Sequence, residues 1–147
     1  MDETIAKFKT AESCEQFALN VESHSPERAK EARRRAIELR AEAHGAVNAV
    51  EREALQAVYA YERARSGKGK KFHASRTWQM IKRHGIIPAV ERVVTRHFDS
   101  VGYTSLVEMG MQDMAFEAVV LRHPDTFSAD AVSRSRERLR ELSGKSE

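Results

Sequence analysis

The residues best equipped for chemistry in this chain are its cations. The sequence holds 17 Arg and 8 Lys, and arginine is the side chain suited to forked phosphate contacts, ring stacking and interface ion pairs. They are unevenly spread. Residues 62–98 carry ten basic side chains (Arg63, Arg65, Lys68, Lys70, Lys71, Arg76, Lys82, Arg83, Arg92 and Arg96) against two acidic ones, a net of +8. Residues 99–132 carry one basic and six acidic side chains, a net of −5. The flanks, residues 1–61 and 133–147, carry −2 and +2, so the 147-residue chain has a net charge of only +3. Within the basic stretch, Ser66-Gly67-Lys68-Gly69-Lys70-Lys71 opens a flexible loop over residues 66–74, with His73, Trp78 and His84 on or beside it.

Cations beside an aromatic ring can neutralise phosphates while the ring stacks on a base. The leading expectation is therefore a non-enzymatic nucleic-acid-associated protein. Arg63, Arg65, Lys68, Lys70, Lys71, Arg76, Lys82 and Arg83 would contact phosphates, with Trp78 and His73 as stacking or edge contacts. Two other readings stay open. The acidic stretch 99–132 could fold over the basic one, leaving only internal complementarity. The chain could instead be a helical adaptor or assembly protein, homodimeric and with no nucleic-acid role, whose opposite charges pair within or between copies.

Other constellations carry less. Ser75 to Arg96 has the outline of a DNA-reading helix-turn-helix around Gly85. Ile81 stands four before that glycine, where a small residue is usual, and Glu91 stands where the second helix is normally apolar. The six histidines (His24, His44, His73, His84, His97 and His123) lack the i,i+3 or i,i+4 spacing of helical metal sites, so no metal ligand is expected. His44, His84 and His123 instead suit helix C-termini, where a cation meets the negative end of the dipole. Glu108, Asp113 and Glu117 could hold Mg²⁺ for phosphodiester chemistry, but a solvated helix face and a cap at Asp113 account for them more simply. Cys14 lies on an apolar helix face with Phe17 and reads as a small buried hydrophobe rather than a nucleophile. The glycines at 67 and 69 lack the spacing of a phosphate-binding loop. Trp78 reads as a core anchor, or else as a stacking platform beside Arg76 and Lys82. No catalytic residue and no cofactor is expected.

The elements that would position these groups are all helical. Hydrophobic residues are 41% of the chain and charged residues 32%, with 7 Gly and 3 Pro. That balance favours one folded domain over residues 1–147, built of helix formers. No apolar run is long enough to span a membrane, and the acidic start at Met1-Asp2-Glu3-Thr4 leads into no apolar segment. With a single cysteine, this points to the cytoplasm. Five to seven helices are expected around a long Ala-rich second helix over about residues 26–65, started by Ser25-Pro26-Glu27. Its stripe runs Ala29, Ala32, Ala36, Leu39, Ala43, Val47, Val50, Ala54, Ala57, Tyr61, and slips register at Gly45. The helix is expected to continue or merely bend there, with a break at Gly45 that opens a hairpin as the alternative.

A straight helix of this length would be about 60 Å long, against a radius of gyration of about 15 Å for a compact domain of this size. It would overhang, so self-association is expected. Around it, Ser13 should cap a first helix, and Ser75 one ending at Gly85. Pro88 should open another. A turn around Gly102 should precede a helix capped by Thr104 or Ser105 and stopped by Gly110. A further helix should run from Asp113 to Arg122, and Ser128 should cap the last. Residues 1–9 and 143–147 are expected to fray.

Overall fold

The computed structural model describes residues 2–66, 70–96 and 99–145, the last three by backbone alone. Among the described residues the chain is all helical, with nine α-helices and one 3-10 turn in place of the five to seven helices expected. The increase comes from breaks that need only one or two residues. Gly45 is the most consequential. It takes φ +87°, the left-handed conformation that glycine adopts without a steric penalty. There it ends α3 (Pro26–His44), and Asn48 caps α4 (Ala49–Arg65) by accepting the Glu51 N–H at 2.9 Å. The long continuous helix is thus two helices folded back as a hairpin. The overhang that called for a partner chain does not exist.

The N-terminal third is an alanine-lined layer. α1 (Glu3–Lys7) is capped by Asp2, and it buries Ile5 completely, so the first residues are not frayed. α2 (Ala11–Val21) starts one turn before the expected Ser13, because Thr10 accepts the Ser13 N–H at 3.1 Å. It packs on α3 through small side chains. Ala18 and Val21 meet Ala29 and Ala32, while Ala11 and Cys14 meet Ala36. Alanine at these positions permits close approach at no rotamer cost.

The spine is α4 alone, not residues 26–65. It buries Ala54, Leu55, Ala57, Val58, Ala60 and Tyr61, and it touches α3, α6, α7, α8 and the 3-10 turn. Around it lie α5 (Ser75–His84), α6 (Ile86–Arg96), α7 (Ser100–Glu108), the turn Gln112–Met114, α8 (Phe116–Arg122) and α9 (Ala129–Lys145). Gly85 and Gly110 take positive φ where helices end. Pro88 sits in the first turn of α6 rather than opening it; an absent N–H is harmless there because first-turn N–H groups have no helical partner.

Asp99, not Thr104 or Ser105, caps α7, accepting the Gly102 N–H at 2.8 Å, so Gly102 lies inside the helix. The expected helix from Asp113 divides at Ala115, which is extended at ψ 149°. Ser128 caps α9 through the Ala131 N–H at 3.1 Å, with Phe127 buried beside the cap.

Candidate functional site

The structure brings the C-terminal end of α4, residues 72–74 and the α5–α6 hairpin together at one end of the bundle. There the chain encloses a cleft of about 740 Å³. Val58 and Tyr61 of α4 form one wall, with Phe116 of α8 stacked on Tyr61 at 5.1 Å between ring centroids. Phe72 and Met80 line the side toward α5, and Val93 the side toward α6. Arg65, Arg76, Arg92 and Arg96 also line it, from three different helices. Two acids line it as well, Asp99 before α7 and Glu117 on the first turn of α8.

The ten residues singled out from sequence separate clearly. Arg63 turns away and pairs with Glu15 at 3.1 Å. Arg65 pairs with Asp99 at 3.4 Å and lies over the Phe72 ring. Lys68 lies outside the described residues. Lys70, Lys71, Arg76, Lys82 and Arg83 are exposed. Trp78 is half-buried. Its Nε1 donates to Glu62 Oε2 at 2.8 Å, and its ring stacks between His44 at 5.3 Å and His73 at 6.5 Å. Glu62 Oε2 also accepts the Ala74 N–H at 2.8 Å and meets His73 Nδ1 at 3.0 Å. Both aromatic candidates are therefore tied to one carboxylate that anchors α5 to α4.

The ion pairs show which cations are already neutralised. The acidic stretch does not cover the basic one. Asp113 makes a two-pronged ion pair with Arg34 of α3, Glu117 pairs with Arg138 of α9, and Asp130 pairs with Arg134. Among the described residues of the acidic stretch, only Asp99 forms an ion pair with the basic one, to Arg65. The two acids inside the basic stretch are also committed elsewhere. Glu62 holds Trp78, and Glu91 takes both the N–H and the hydroxyl of Ser128 at the start of α9, where an anion suits the helix dipole. That contact accounts for Glu91 at a place where a helix-turn-helix would be apolar. Among the described residues, Lys70, Lys71, Arg76, Lys82, Arg83, Arg92 and Arg96 have no carboxylate within salt-bridge distance.

The resulting field is felt locally. Burial, then the charges of Arg92, Arg83 and Arg96, hold His84 below the usual histidine range. His84 thus resists the protonation that a cationic cap would need. His123 stands at the C-cap of α8, as expected, and its ring also meets Glu53 at 2.8 Å. Glu53 itself is pushed up by burial, but His123 and Arg122 outweigh this and leave it below the usual carboxylate range.

The remaining chemical candidates are dispersed. Glu108 is exposed, Asp113 is ion-paired, and Glu117 is buried, so the three carboxylates share no site. Among the described residues no three His, Cys, Asp or Glu side chains come together in a metal-binding group. Cys14 is fully buried, and burial raises its thiol pKa. No helix of the described residues is long and apolar enough to cross a membrane.

Sequence reasoning singled out Glu117 only beside Glu108 and Asp113 as a surface carboxylate, and it did not find the cleft walls. Arg92 and Arg96 stood out in the charge count but not as members of a site; their i,i+4 spacing on one helix was the available signal. Glu62 and Glu91 were legible as the only acids in a basic stretch. Comparison with protein-family models, with curated proteins and with solved structures gives no match for this chain.

Proposed function

We propose that this protein binds nucleic acid, without catalysis, through the basic end of the bundle. The observation that supports this reading is that, among the described residues, seven cations of residues 70–96 have no carboxylate partner: Lys70, Lys71, Arg76, Lys82, Arg83, and the cleft-lining Arg92 and Arg96. Internal complementarity would have placed the acids of residues 99–132 against them. Four of those six acids pair elsewhere, Asp113 with α3, Glu117 and Asp130 with α9 and Asp99 with Arg65, although Asp99 and Glu117 also line the cleft. A surface that keeps several like charges together without counter-ions carries a repulsion that a polyanion relieves.

The aromatic part of the expectation shifts. Trp78 is held by Glu62 and flanked by two histidine rings, which leaves it a positioning role for α5. Phe72, 41% exposed beside Arg65, is the better stacking surface.

The test is a titration against duplex and single-stranded oligonucleotides at low and moderate salt. If roughly six of these cations each neutralise one phosphate, log K falls against log salt with a slope of about −4 on a single strand and about −5 on a duplex. Replacing Arg76 and Lys82 together by Ala, both exposed on α5, should make the slope shallower by about one unit for each phosphate that these two side chains neutralise. No binding at low salt, or binding indifferent to salt, refutes the reading.

The runner-up, a homodimeric adaptor, loses its structural motive with the hairpin at Gly45. It predicts a concentration-dependent oligomer by light scattering with no polyanion affinity.

A further inference from the structure

Phosphate binding by surface cations leaves Glu117 unexplained. It is 2% exposed, yet it lines the cleft. Its Oε2 accepts from Arg138 Nη1 at 3.2 Å, while its Oε1 is buried without a hydrogen-bond partner. A buried acceptor left without a donor is costly, and such groups are rare unless something outside the chain satisfies them. The walls around it are aromatic and aliphatic, from Tyr61, Phe116, Phe72 and Val93. The lining also includes Asp99, paired with Arg65, and Arg76, Arg92 and Arg96, which among the described residues have no carboxylate partner. An acceptor, a flat apolar slot and phosphate-ready cations thus share one cleft of about 740 Å³, within the usual range for a small-molecule site.

We propose that this cleft binds a nucleotide whose base carries an exocyclic amino group. The amino N–H donates to Glu117 Oε1, the base lies against Phe72 and the Tyr61–Phe116 wall, and the phosphate meets Arg76, Arg92 and Arg96. Burial raises the pKa of Glu117 above the usual carboxylate range, and the hydrogen bond and charge of Arg138 oppose that rise; the ionised carboxylate, held by Arg138 at Oε2, offers Oε1 as an acceptor. Cytosine, adenine and guanine have such an amino group. Uracil and hypoxanthine present a keto oxygen in the place of the amino group of cytosine and adenine, and oxygen faces oxygen at Glu117. The proposal deepens the nucleic-acid reading and rests on it where the nucleotide belongs to a strand. A free mononucleotide presents the same chemistry.

Calorimetric titration of the unaltered protein with two matched pairs, CMP against UMP and AMP against IMP, tests it without any variant. Matched oligo(C) and oligo(U) strands form the second arm. The amino member of each pair is expected to bind about tenfold more tightly, the worth of one hydrogen bond to a charged acceptor. Glu117→Gln, checked for folding by its melting curve, should abolish or reverse the preference, because Arg138 holds the amide oxygen and turns the amide N–H toward the base. Arg76→Ala, at an exposed position, should weaken both members of a pair equally.

Preference among mononucleotides supports the proposal with the free nucleotide as a source. Preference only in the oligonucleotide arm supports it with the strand as the source. Salt-dependent strand binding with no base preference, and no mononucleotide preference, overturns this proposal while the surface reading stands. Mononucleotide preference with no strand binding leaves this proposal standing and removes the surface reading. Absent binding in every arm removes both.

Discussion

Replacing Gly102 by Ala sets helix propensity against packing, and the coordinates decide which wins. Gly102 lies inside α7. By propensity alone, Ala there should stabilise the helix by about 1 kcal/mol. A Cβ at this position, however, would stand 2.6 Å from Asp99 Oδ2, 2.9 Å from Asp99 Cγ and 2.9 Å from Tyr61 Cδ1. Neither neighbour can yield freely. Tyr61 is 8% exposed and stacked on Phe116, and the Asp99 carboxylate both caps α7 and pairs with Arg65. Overpacking of this kind costs about 1–3 kcal/mol, and a disrupted cap adds about 0.5–2 kcal/mol.

Set against the propensity gain, the net loss for Gly102→Ala is about 2 kcal/mol. At this chain length that lowers Tm by roughly 4–8 °C. Thermal melting followed by circular dichroism reads it directly. A double-mutant cycle with Asp99→Ala sharpens the test, because removing that carboxylate relieves part of the clash. The two changes should couple by more than about 0.5 kcal/mol. A Gly102→Ala protein that melts at or above the parent temperature would show that the close approach to Tyr61 and Asp99 exerts no constraint, and the packing argument would fail.

Other outcomes follow from the same geometry. Gly45→Ala meets no atom within 4 Å, so its cost is the left-handed φ alone, about 1–2 kcal/mol by urea titration; an unchanged midpoint would contradict the hairpin geometry. Glu62→Ala leaves Trp78 Nε1 and the Ala74 N–H without their acceptor, costing about 1–3 kcal/mol. It should also move the emission of the chain's one tryptophan to longer wavelength, and an unmoved spectrum argues against the anchor.

Asp113→Asn tests linkage. Burial raises the Asp113 pKa, but the Arg34 hydrogen bond and charge outweigh it and leave the carboxyl below the usual range. Its stabilising contribution is therefore present above the unfolded carboxylate pKa and lost as pH falls through the folded one. The side chain is half exposed, so the difference from the parent should be under about 1 kcal/mol at neutral pH and should vanish in acid. A pH-independent difference refutes the pairing.

How much of this was legible depended on whether the cause was local. Most helix ends were readable, because Ser25-Pro26, Gly85, Gly110, Pro124 and Ser128 act through their own backbone or hydroxyl within a turn. The N-terminal helix was missed because Ile5 is held by tertiary burial among Ala18, Val21, Ala29 and Ala32 rather than by any strong local signal. At the site, the basic stretch was visible as composition, but the division between paired and unpaired cations was not. Arg63 finds Glu15 and Arg65 finds Asp99 only once the chain folds.

By itself the sequence determined an all-helical chain with segregated charge, because helix propensity, capping residues and charge counts are properties of short segments. The break at Gly45 lay between the two. The glycine and the register slip were in view, yet whether the helix bends or reverses depends on what α3 and α4 gain by packing on each other. Only the tertiary structure decided that the spine is α4 and that Glu117 is buried beside arginines of other helices. Burial, desolvation and charge pairing join residues such as Arg34 and Asp113, or Glu117 and Arg138, that are far apart along the chain. No local pattern encodes such distances, so the cleft and its unpartnered carboxylate oxygen exist only in the folded molecule.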